Sequence, residues 1–220
     1  MISGILKSVV LVSGLLISVV ASANLITNGG FEETDVGKNK WAWFTADKIN
    51  GWQGSNIEIW DNYNRVTAFE GTQHAELNAH SANGDAFSIF QTFSTQVGGL
   101  YYVSFAYSAR SNSNEAFMFN LDSADKTPIW SSLIEDHTVG QWSVFRTSFV
   151  AKDLETSIRF TSVTPYSGTV GNFLDDIVVS QAFAARKISE VSEPLGAIFF
   201  GLGLLAVMRK RKAKANHPEH

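Results

Sequence analysis

Three polar side chains alternate with apolar ones in the stretch QHAELNA, which covers residues 73 to 79. Side chains of an extended strand alternate between its two faces, so His74, Glu76 and Asn78 point to one side while Ala75 and Leu77 point to the other. Such a row of hydrogen-bonding groups is costly to bury without partners and cheap to place in a wet cleft. The row therefore predicts a polar binding cleft. A solvated outer face without a ligand is the alternative interpretation.

Tryptophans stand close to this row in the sequence. Trp52 and Trp60 lie within residues 51 to 78, among acidic and amide side chains. Sugar rings stack their apolar faces on aromatic rings, while their hydroxyls need donors and acceptors nearby. Arg110 ends a long tyrosine-rich strand on its polar face and can reach the same cleft. We predict a ligand-binding site made of Trp52, Trp60, His74, Glu76, Asn78 and Arg110. For any single tryptophan, a place in the core is the alternative.

Catalysis has little support in the sequence. Two carboxylates flanking a glycosidic bond are arithmetically available from Glu58 with Glu76, or from Glu70 with Asp61, but no motif accompanies either pair. The chain shows no zinc-ligand spacing, no nucleophile elbow and no phosphate-binding loop. We therefore expect a non-catalytic protein with no catalytic residues. A small glycosidase or lyase is the enzymatic alternative.

Charge and cysteine content narrow the class further. Residues 24 to 190 hold 11 Lys plus Arg and 19 Asp plus Glu, so their net charge is 11 − 19 = −8. An acidic domain is a poor partner for nucleic acid, because that binding depends on neutralising phosphates. The chain has no cysteine, so disulfides cannot support the fold. Stability must come from a packed core, a metal, or both.

The body of the chain has the pattern of an all-β protein. Short segments with a period of two, such as NIEIW, LYYVSFAYSAR and TSIRFTSV, are separated by Gly, Asn, Asp and Ser. This alternation favours antiparallel strands with one face packed against a core. No amphipathic helical pattern of about three turns occurs between residues 24 and 190. About eight strands at this spacing predict a β-sandwich of the jelly-roll type.

The two ends of the chain predict export and a membrane anchor. Lys7, the apolar run from Val9 to Val20 and the small residues ASA form a signal peptide over residues 1–23. Near the other end, a transmembrane helix is predicted at about residues 195–208, followed by a basic cluster at 209–214. Those cations stay cytoplasmic under the positive-inside rule, so the domain at 24–183 and a linker at 184–190 lie on the far side.

The C-terminal arrangement resembles the PEP-CTERM sorting signal of Gram-negative bacteria. Ser192, Glu193 and Pro194 stand where that family has Pro-Glu-Pro, and a short hydrophobic helix and basic cluster follow, so residues 191–214 match its three parts. The resemblance implies processing by an exosortase at the inner membrane, with at least transient anchoring there. The protein would then reach the cell surface or the extracellular matrix.

The body resembles galactose-binding-like jelly-roll domains of the carbohydrate-binding-module type. The matching motifs occur in order: NLITNGGFE, GW, IEIW, EGTQHAELNA and FLDDIVV. The resemblance implies an eight- or nine-stranded jelly roll that binds glycan or exopolysaccharide without catalysis. A structural matrix or adhesion protein with no specific ligand is the main alternative.

The same resemblance implies a structural Ca²⁺. Its ligands would be Glu32 from the opening motif and Asp175 or Asp176 from the closing one, with Asn28 or backbone carbonyls completing the oxygen shell. Strict strand alternation puts the two aspartates on opposite apolar faces, so one of them must be buried and needs a partner. The alternative is that backbone N–H groups satisfy both carboxylates.

Overall fold

The computed structural model describes residues 23–81 and 83–182, all within the first of two compact units, Met1–Ala182. The predicted signal peptide (apart from Ala23), the linker and the sorting signal with Ser192, Glu193 and Pro194 lie outside the described residues. Within the two described ranges, no helix has the length and apolar character needed to cross a membrane.

The predicted all-β sandwich is confirmed, although the described residues form eleven strands where eight or nine were expected. The shortest of the eleven, the two-residue β2, is too short to leave a pattern in the sequence. Single 3₁₀ turns cover Ala46–Lys48 and Tyr63–Arg65. The strands are β1 (Lys40–Phe44), β2 (Gln53–Gly54), β3 (Ile57–Asp61), β4 (Gln73–Glu76), β5 (Ser88–Ser94), β6 (Leu100–Ser108), β7 (Ala116–Ser123), β8 (Pro128–Ile134), β9 (Ser143–Val150), β10 (Glu155–Thr164) and β11 (Phe173–Gln181).

Two antiparallel sheets face each other across one apolar core. The six-stranded sheet has the order β1-β3-β4-β11-β6-β9, and the five-stranded sheet has the order β2-β5-β10-β7-β8. Alternate residues of β6, such as Phe105, point inward, where the Phe105 ring packs 5.0 Å from the rings of Phe119 and Phe160 on the opposite sheet. The other residues of β6 point to the outer face of the six-stranded sheet, which carries the features described below.

A β-bulge in β11 corrects the predicted placement of the two aspartates. Asp175 pairs with Ala106 and Val178 pairs with Ser104, so the intervening residues of β11 outnumber those of β6 by one. The extra residue is Asp176, whose φ is +45°. Asp175 precedes the bulge, lies on the outer face and is 0% exposed, which confirms that one of the two aspartates is buried, while Ile177 turns into the core. Strict alternation failed here because a bulge shifts every later side chain to the opposite face.

Candidate functional site

The predicted polar row lies on the outer face of the six-stranded sheet, but it is not exposed there. His74 pairs with Trp60 and Glu76 pairs with Glu58 across β3 and β4. His74, Glu76 and Asn78 are each 0% exposed. They line neither a wet cleft nor a solvated face, because other side chains and loops cover them. The row is thus a buried network, and its partners decide what it does.

Glu76 is held by a charged clamp. Its carboxylate accepts hydrogen bonds from Arg110 Nη1 at 2.7 and 2.8 Å and from the Gly171 backbone N–H at 2.7 Å. Burial raises the pKa of Glu76 well above its usual value, and the nearby Glu58 raises it further, whereas Arg110 lowers it. The Arg110 guanidinium also lies 4.7 Å over the Trp60 ring, and its side chain is 27% exposed. Glu76 is therefore a structural anchor, and only Arg110 reaches the surface.

Glu115 holds the segment that carries Arg110, and the sequence analysis missed it. Its carboxylate accepts hydrogen bonds from four backbone N–H groups, those of Arg110, Ser111, Asn112 and Asn172, at 2.7–3.0 Å. A buried carboxylate with this many donors fixes two loops to each other. No sequence pattern marks such a residue, because its donors belong to the backbone.

Asn78 ties down the loop before β11. Its Nδ2 donates to the carbonyls of Pro165 and Gly168 at 3.0 and 2.9 Å, and its Oδ1 accepts from Asn172 Nδ2 at 2.7 Å. Every polar atom of this amide is occupied within the protein. The predicted role of Asn78 in contacting a ligand is therefore replaced by a role in loop anchoring.

His74 sits among aromatic rings without a hydrogen bond. Its ring centroid lies 4.7 Å from that of Phe173, 5.5 Å from Trp142 and 6.0 Å from Trp60. Neither imidazole nitrogen has a hydrogen-bond partner within the described residues. Burial lowers the pKa of His74 to about 3, so the ring is neutral at ordinary pH. It acts as an aromatic packing residue and cannot reach a sugar hydroxyl from this position.

Trp52 belongs to the core, which corrects its predicted place in the binding site. It is 2% exposed, its ring stacks on Phe31 at 5.3 Å, and its Nε1 donates to the Asn28 carbonyl. Trp60 is 3% exposed as well, but it lies on the outer face and is not part of the main core cluster. It forms the buried base of a different group of aromatic rings.

Three exposed aromatic residues form an aromatic rim, which we define as Trp41, Trp43 and Tyr63. They are 39%, 41% and 37% exposed. Trp41 stacks on Trp60 with ring centroids 6.4 Å apart, and Tyr63 meets the Trp60 ring edge-on at 5.2 Å. Trp43 lies beside Trp41 on β1, opposite Glu58. The signal for the rim was present in the sequence, since WAW places two tryptophans on one face of a strand.

The predicted calcium ligands are engaged by donors of the protein itself. Glu32 Oε1 accepts from the backbone N–H groups of Thr72 and Gln73, both at 2.7 Å. Asp175 accepts from the N–H groups of Phe69, Glu70 and Asp176, at 2.8, 3.1 and 2.7 Å. Burial raises the pKa of Asp175 to about 7.

The other predicted ligands are Asn28, whose Oδ1 accepts from the Glu33 N–H, and Asp176, which is the extra residue of the bulge. In residues 23–81 and 83–182, no group of three or more His, Cys, Asp or Glu side chains is arranged to hold a metal ion. The geometry favours the alternative in which backbone N–H groups satisfy the carboxylates. Calcium binding stays a prediction.

Chelation separates the two interpretations. A calcium ion that binds only the native state raises its stability, so a chelator would then lower the melting temperature Tm. Satisfaction by backbone donors alone requires an unchanged Tm, and this is the result that the geometry favours. Differential scanning calorimetry with and without EDTA, followed by calcium add-back, measures the difference. A fall in Tm that added calcium reverses would establish the metal.

Comparison with known proteins gives matches among solved structures. A scan against protein-family models and a search of curated proteins each found no match. Among solved structures, the chain is similar to a family 61 carbohydrate-binding module in complex with β-1,4-galactotriose, with a TM-score of 0.49, 16% identity, and coverage of 73% of this chain and 100% of that one. The CBM22-1 xylan-binding domain from Paenibacillus barcinonensis gives a TM-score of 0.44 and 12% identity over 75% of this chain and 98% of that one.

An enzyme structure is similar as well. The arabinose-bound GH51 α-L-arabinofuranosidase matches with a TM-score of 0.50 and 14% identity, covering 73% of this chain but only 26% of the enzyme. At this level of identity the similarity concerns the fold alone. The chain is a two-sheet jelly-roll sandwich, and its function has to be argued from its own surface.

Proposed function

We propose that this protein binds glycan without catalysis, through the aromatic rim on the outer face of its six-stranded sheet. One observation carries the proposal: the exposed rings of Trp41 and Tyr63 pack against the buried Trp60 ring, whose Nε1 donates to the buried Glu58 carboxylate, and Trp43 lies beside Trp41 on the same strand. Rings presented in this way offer large apolar contact at little cost in conformational entropy, which suits the apolar faces of sugars. The solved carbohydrate-binding modules with similar folds agree with this proposal.

Polar groups beside the rim supply partners for hydroxyls. Asn64 and Arg65 follow Tyr63, are exposed, and make no side-chain hydrogen bond within the described ranges. The Arg110 side chain, whose guanidinium lies over the Trp60 ring, is 27% exposed and also reaches the surface. Hydroxyls that exchange water for such partners gain little net free energy, on the order of 1 kcal/mol per hydrogen bond, so we expect weak binding at each site.

The buried carboxylate pair argues against a hydrolase at this face. Glu58 and Glu76 are 2% and 0% exposed. Glu58 accepts hydrogen bonds from the His80 N–H and the Trp60 indole, while Glu76 is clamped by Arg110 and Gly171. A substrate has no access to either side chain. Reducing ends released from a polysaccharide by the purified protein would contradict the non-catalytic proposal.

Export and sorting complete the proposal and rest on the sequence of the two ends. The protein would cross the inner membrane behind its signal peptide, be processed at Ser192, Glu193 and Pro194 by an exosortase-type enzyme, and reach the cell surface or extracellular matrix of a Gram-negative bacterium. Polymeric sugars are abundant there. Intact-mass measurement of the cell-associated protein, combined with localisation, tests both signals: retention of both ends on a cytosolic product would contradict them.

The rim itself is tested by a matched set of tryptophan variants. Trp41→Ala and Trp43→Ala each remove apolar contact worth about 1.5 kcal/mol or more, so we expect at least about a tenfold loss of affinity. Trp130→Ala is the control, because Trp130 is also 39% exposed but lies on β8 of the other sheet. Affinity electrophoresis of the full chain in galactan, xylan and glucan gels provides the measurement. No retention of the wild type in any gel would favour a structural spacer, and equal retention of the wild type and all three variants would contradict binding through the rim.

A further inference from the structure

A second depression lies on the same outer face, far from the aromatic rim. It has a volume of about 260 Å³ and is formed by β6, β9 and β11, with Tyr102, Ser104, Arg146, Val178 and Ser180 presenting their side chains to it. The two tryptophans of the rim lie on β1, four strands away from β6 in the sheet order, and Tyr63 lies in the 3₁₀ turn after β3. At about 4.8 Å per strand, the two tryptophans are roughly 19 Å from β6. The rim and the depression are two distinct places on one face.

The bulge in β11 helps to shape this depression. After the extra residue Asp176, the strand resumes its pairing with Val178 opposite Ser104, which puts Val178 on the outer face as an apolar floor. Bulges re-aim side chains in this way and are frequent next to functional sites. The Ser104 side chain lies opposite Val178 on β6, and Ser180 lies two residues beyond Val178 on β11.

The polar groups of the depression have no partners in the part of the chain that the structure describes. Within residues 23–81 and 83–182, the Arg146 guanidinium and the hydroxyls of Tyr102, Ser104 and Ser180 make no hydrogen bond and no ion pair. Two other arginines do form ion pairs: Arg110 pairs with Glu76, and Arg159 pairs with Asp122. Arg146 alone of these three sheet-face arginines keeps its donors free at the edge of a cavity.

Asp176 carries a negative charge that interacts with the Arg146 guanidinium. Its carboxylate is close enough to Arg146 for the cation to lower its pKa, against the larger effect of burial, which raises it. The two side chains nevertheless form no ion pair. Asp176 therefore leaves the fork of guanidinium donors open to a planar anion, which arginine binds through two parallel hydrogen bonds.

We propose that this depression is a second glycan site and that it binds an acidic sugar, a hexuronic acid unit, with Arg146 on the carboxylate and Tyr102 against the ring. Tyr102 is 54% exposed, so its ring and hydroxyl are both available. Ser104 and Ser180 supply hydroxyl partners, and Val178 contacts the apolar face of the sugar. The volume lies below the roughly 300–1,000 Å³ of sites for drug-sized ligands, which suits one or two sugar rings. The inference extends the proposed glycan binding to a different ligand class.

Isothermal titration of the full chain with trimers of galacturonate, glucuronate and mannuronate tests this site. The protein is kept soluble with a detergent that carries no sugar headgroup. We expect one of the trimers to bind, and Arg146→Gln to weaken that binding at least about tenfold, because a charge-assisted bidentate contact is lost. Tyr102→Ala should weaken it as well. Binding should also weaken as NaCl is raised, since the attraction is ionic.

Arg159→Gln is the matched control, since Arg159 is a sheet arginine on the opposite side of the molecule that stacks on Phe90. It should bind the uronate trimer as the wild type does. The inference is overturned if none of the three trimers binds, if Arg146→Gln and Arg159→Gln behave alike, or if reduced, uncharged forms of the trimers bind equally well in an Arg146-dependent way.

Different results would overturn the proposal for the aromatic rim and the proposal for the Arg146 depression. Neutral glycans that bind through Trp41, together with uronates that do not bind, would remove only the second site. Uronate binding that depends on Arg146, with no loss in Trp41→Ala and no neutral ligand, would remove the rim and keep the second site. Absence of binding to every glycan would remove both.

Discussion

Arg110→Met is expected to lower the free energy of unfolding by about 3 kcal/mol at pH 7.5, because it leaves the Glu76 carboxylate buried without its cation. The expectation is at the lower end for a broken buried pair, since the Arg110 side chain is 27% exposed while that of Glu76 is 0% exposed. Methionine keeps much of the apolar stem of Arg110, so the change removes mainly the charged guanidinium that lies over Trp60. Urea denaturation followed by circular dichroism gives the measurement.

The sign of the pH dependence distinguishes this loss from a packing defect. Burial already raises the pKa of Glu76 in the wild type, and removal of Arg110 raises it further. A group whose folded-state pKa is raised loses its stabilising contribution as pH rises through that pKa. The gap between Arg110→Met and the wild type should therefore be wider at pH 8 than at pH 5. A packing defect would leave the gap constant.

Two further variants test whether the loss of stability in Arg110→Met comes from the unpaired Glu76 carboxylate. Adding Glu76→Gln to Arg110→Met removes the stranded charge and should restore more than half of the lost stability. Arg159→Met is the matched control on the other sheet, where Arg159 and Asp122 form a 3.6 Å ion pair with side chains 31% and 14% exposed. It should cost less than about 1 kcal/mol, as partly exposed pairs do. Equal losses of unfolding free energy in Arg110→Met and Arg159→Met would contradict a stabilising role for the buried pair of Arg110 and Glu76.

His74→Leu is expected to stabilise the protein, and increasingly so in acid. The imidazole is fully buried with no hydrogen-bond partner in the described residues, and burial lowers its pKa to about 3 from 6.5. Between those two values the unfolded chain binds a proton that the native state does not, so stability falls as the pH falls. The loss amounts to about 1.4 kcal/mol per pH unit, and leucine abolishes it. The advantage of the variant should thus grow to about 3 kcal/mol near pH 4.

His137→Leu serves as a graded comparison. His137 packs against Tyr107 and Phe117, and burial lowers its pKa to about 4. Its advantage over the wild type should widen over a shorter pH interval and stop near pH 4, while that of His74→Leu continues toward pH 3. Asp175 and Glu76 titrate alike in the wild type and in both variants, so their contributions cancel in the differences. Parallel stability profiles for the wild type and His74→Leu would contradict the assignment.

Strand pattern and composition allowed the sequence to predict the architecture well. Alternation in β3, β4 and β6 identified the strands and gave the correct inner residues, such as Ile59 and Phe105, because burial of one face dictates the period. The same alternation correctly put residues 74, 76 and 78 on the face opposite Ala75 and Leu77, which lie in the core. What the pattern could not give was the layer that covers the polar row.

The errors share a physical cause, which is that tertiary contacts decide which outer-face residues stay exposed. Trp52 fills the space beside Phe31, so it joined the core, whereas Trp41 lies on the edge strand and stays accessible. Glu115 has only backbone donors from distant loops, and the bulge at Asp176 leaves no mark in a regular apolar pattern. Local sequence carries little information about such long-range arrangements.

Indole N–H resonances test the central claim most directly. The chain has six tryptophans, so a ¹⁵N–¹H spectrum contains six indole signals, each assignable with a single variant. On titration with galacto-, xylo- and gluco-oligosaccharides, the account predicts that the signals of Trp41 and Trp43 shift in a saturable way while those of Trp52 and Trp130 stay in place. Shifts at Trp130 with none at Trp41 and Trp43, or six unmoved signals with every glycan, would contradict it.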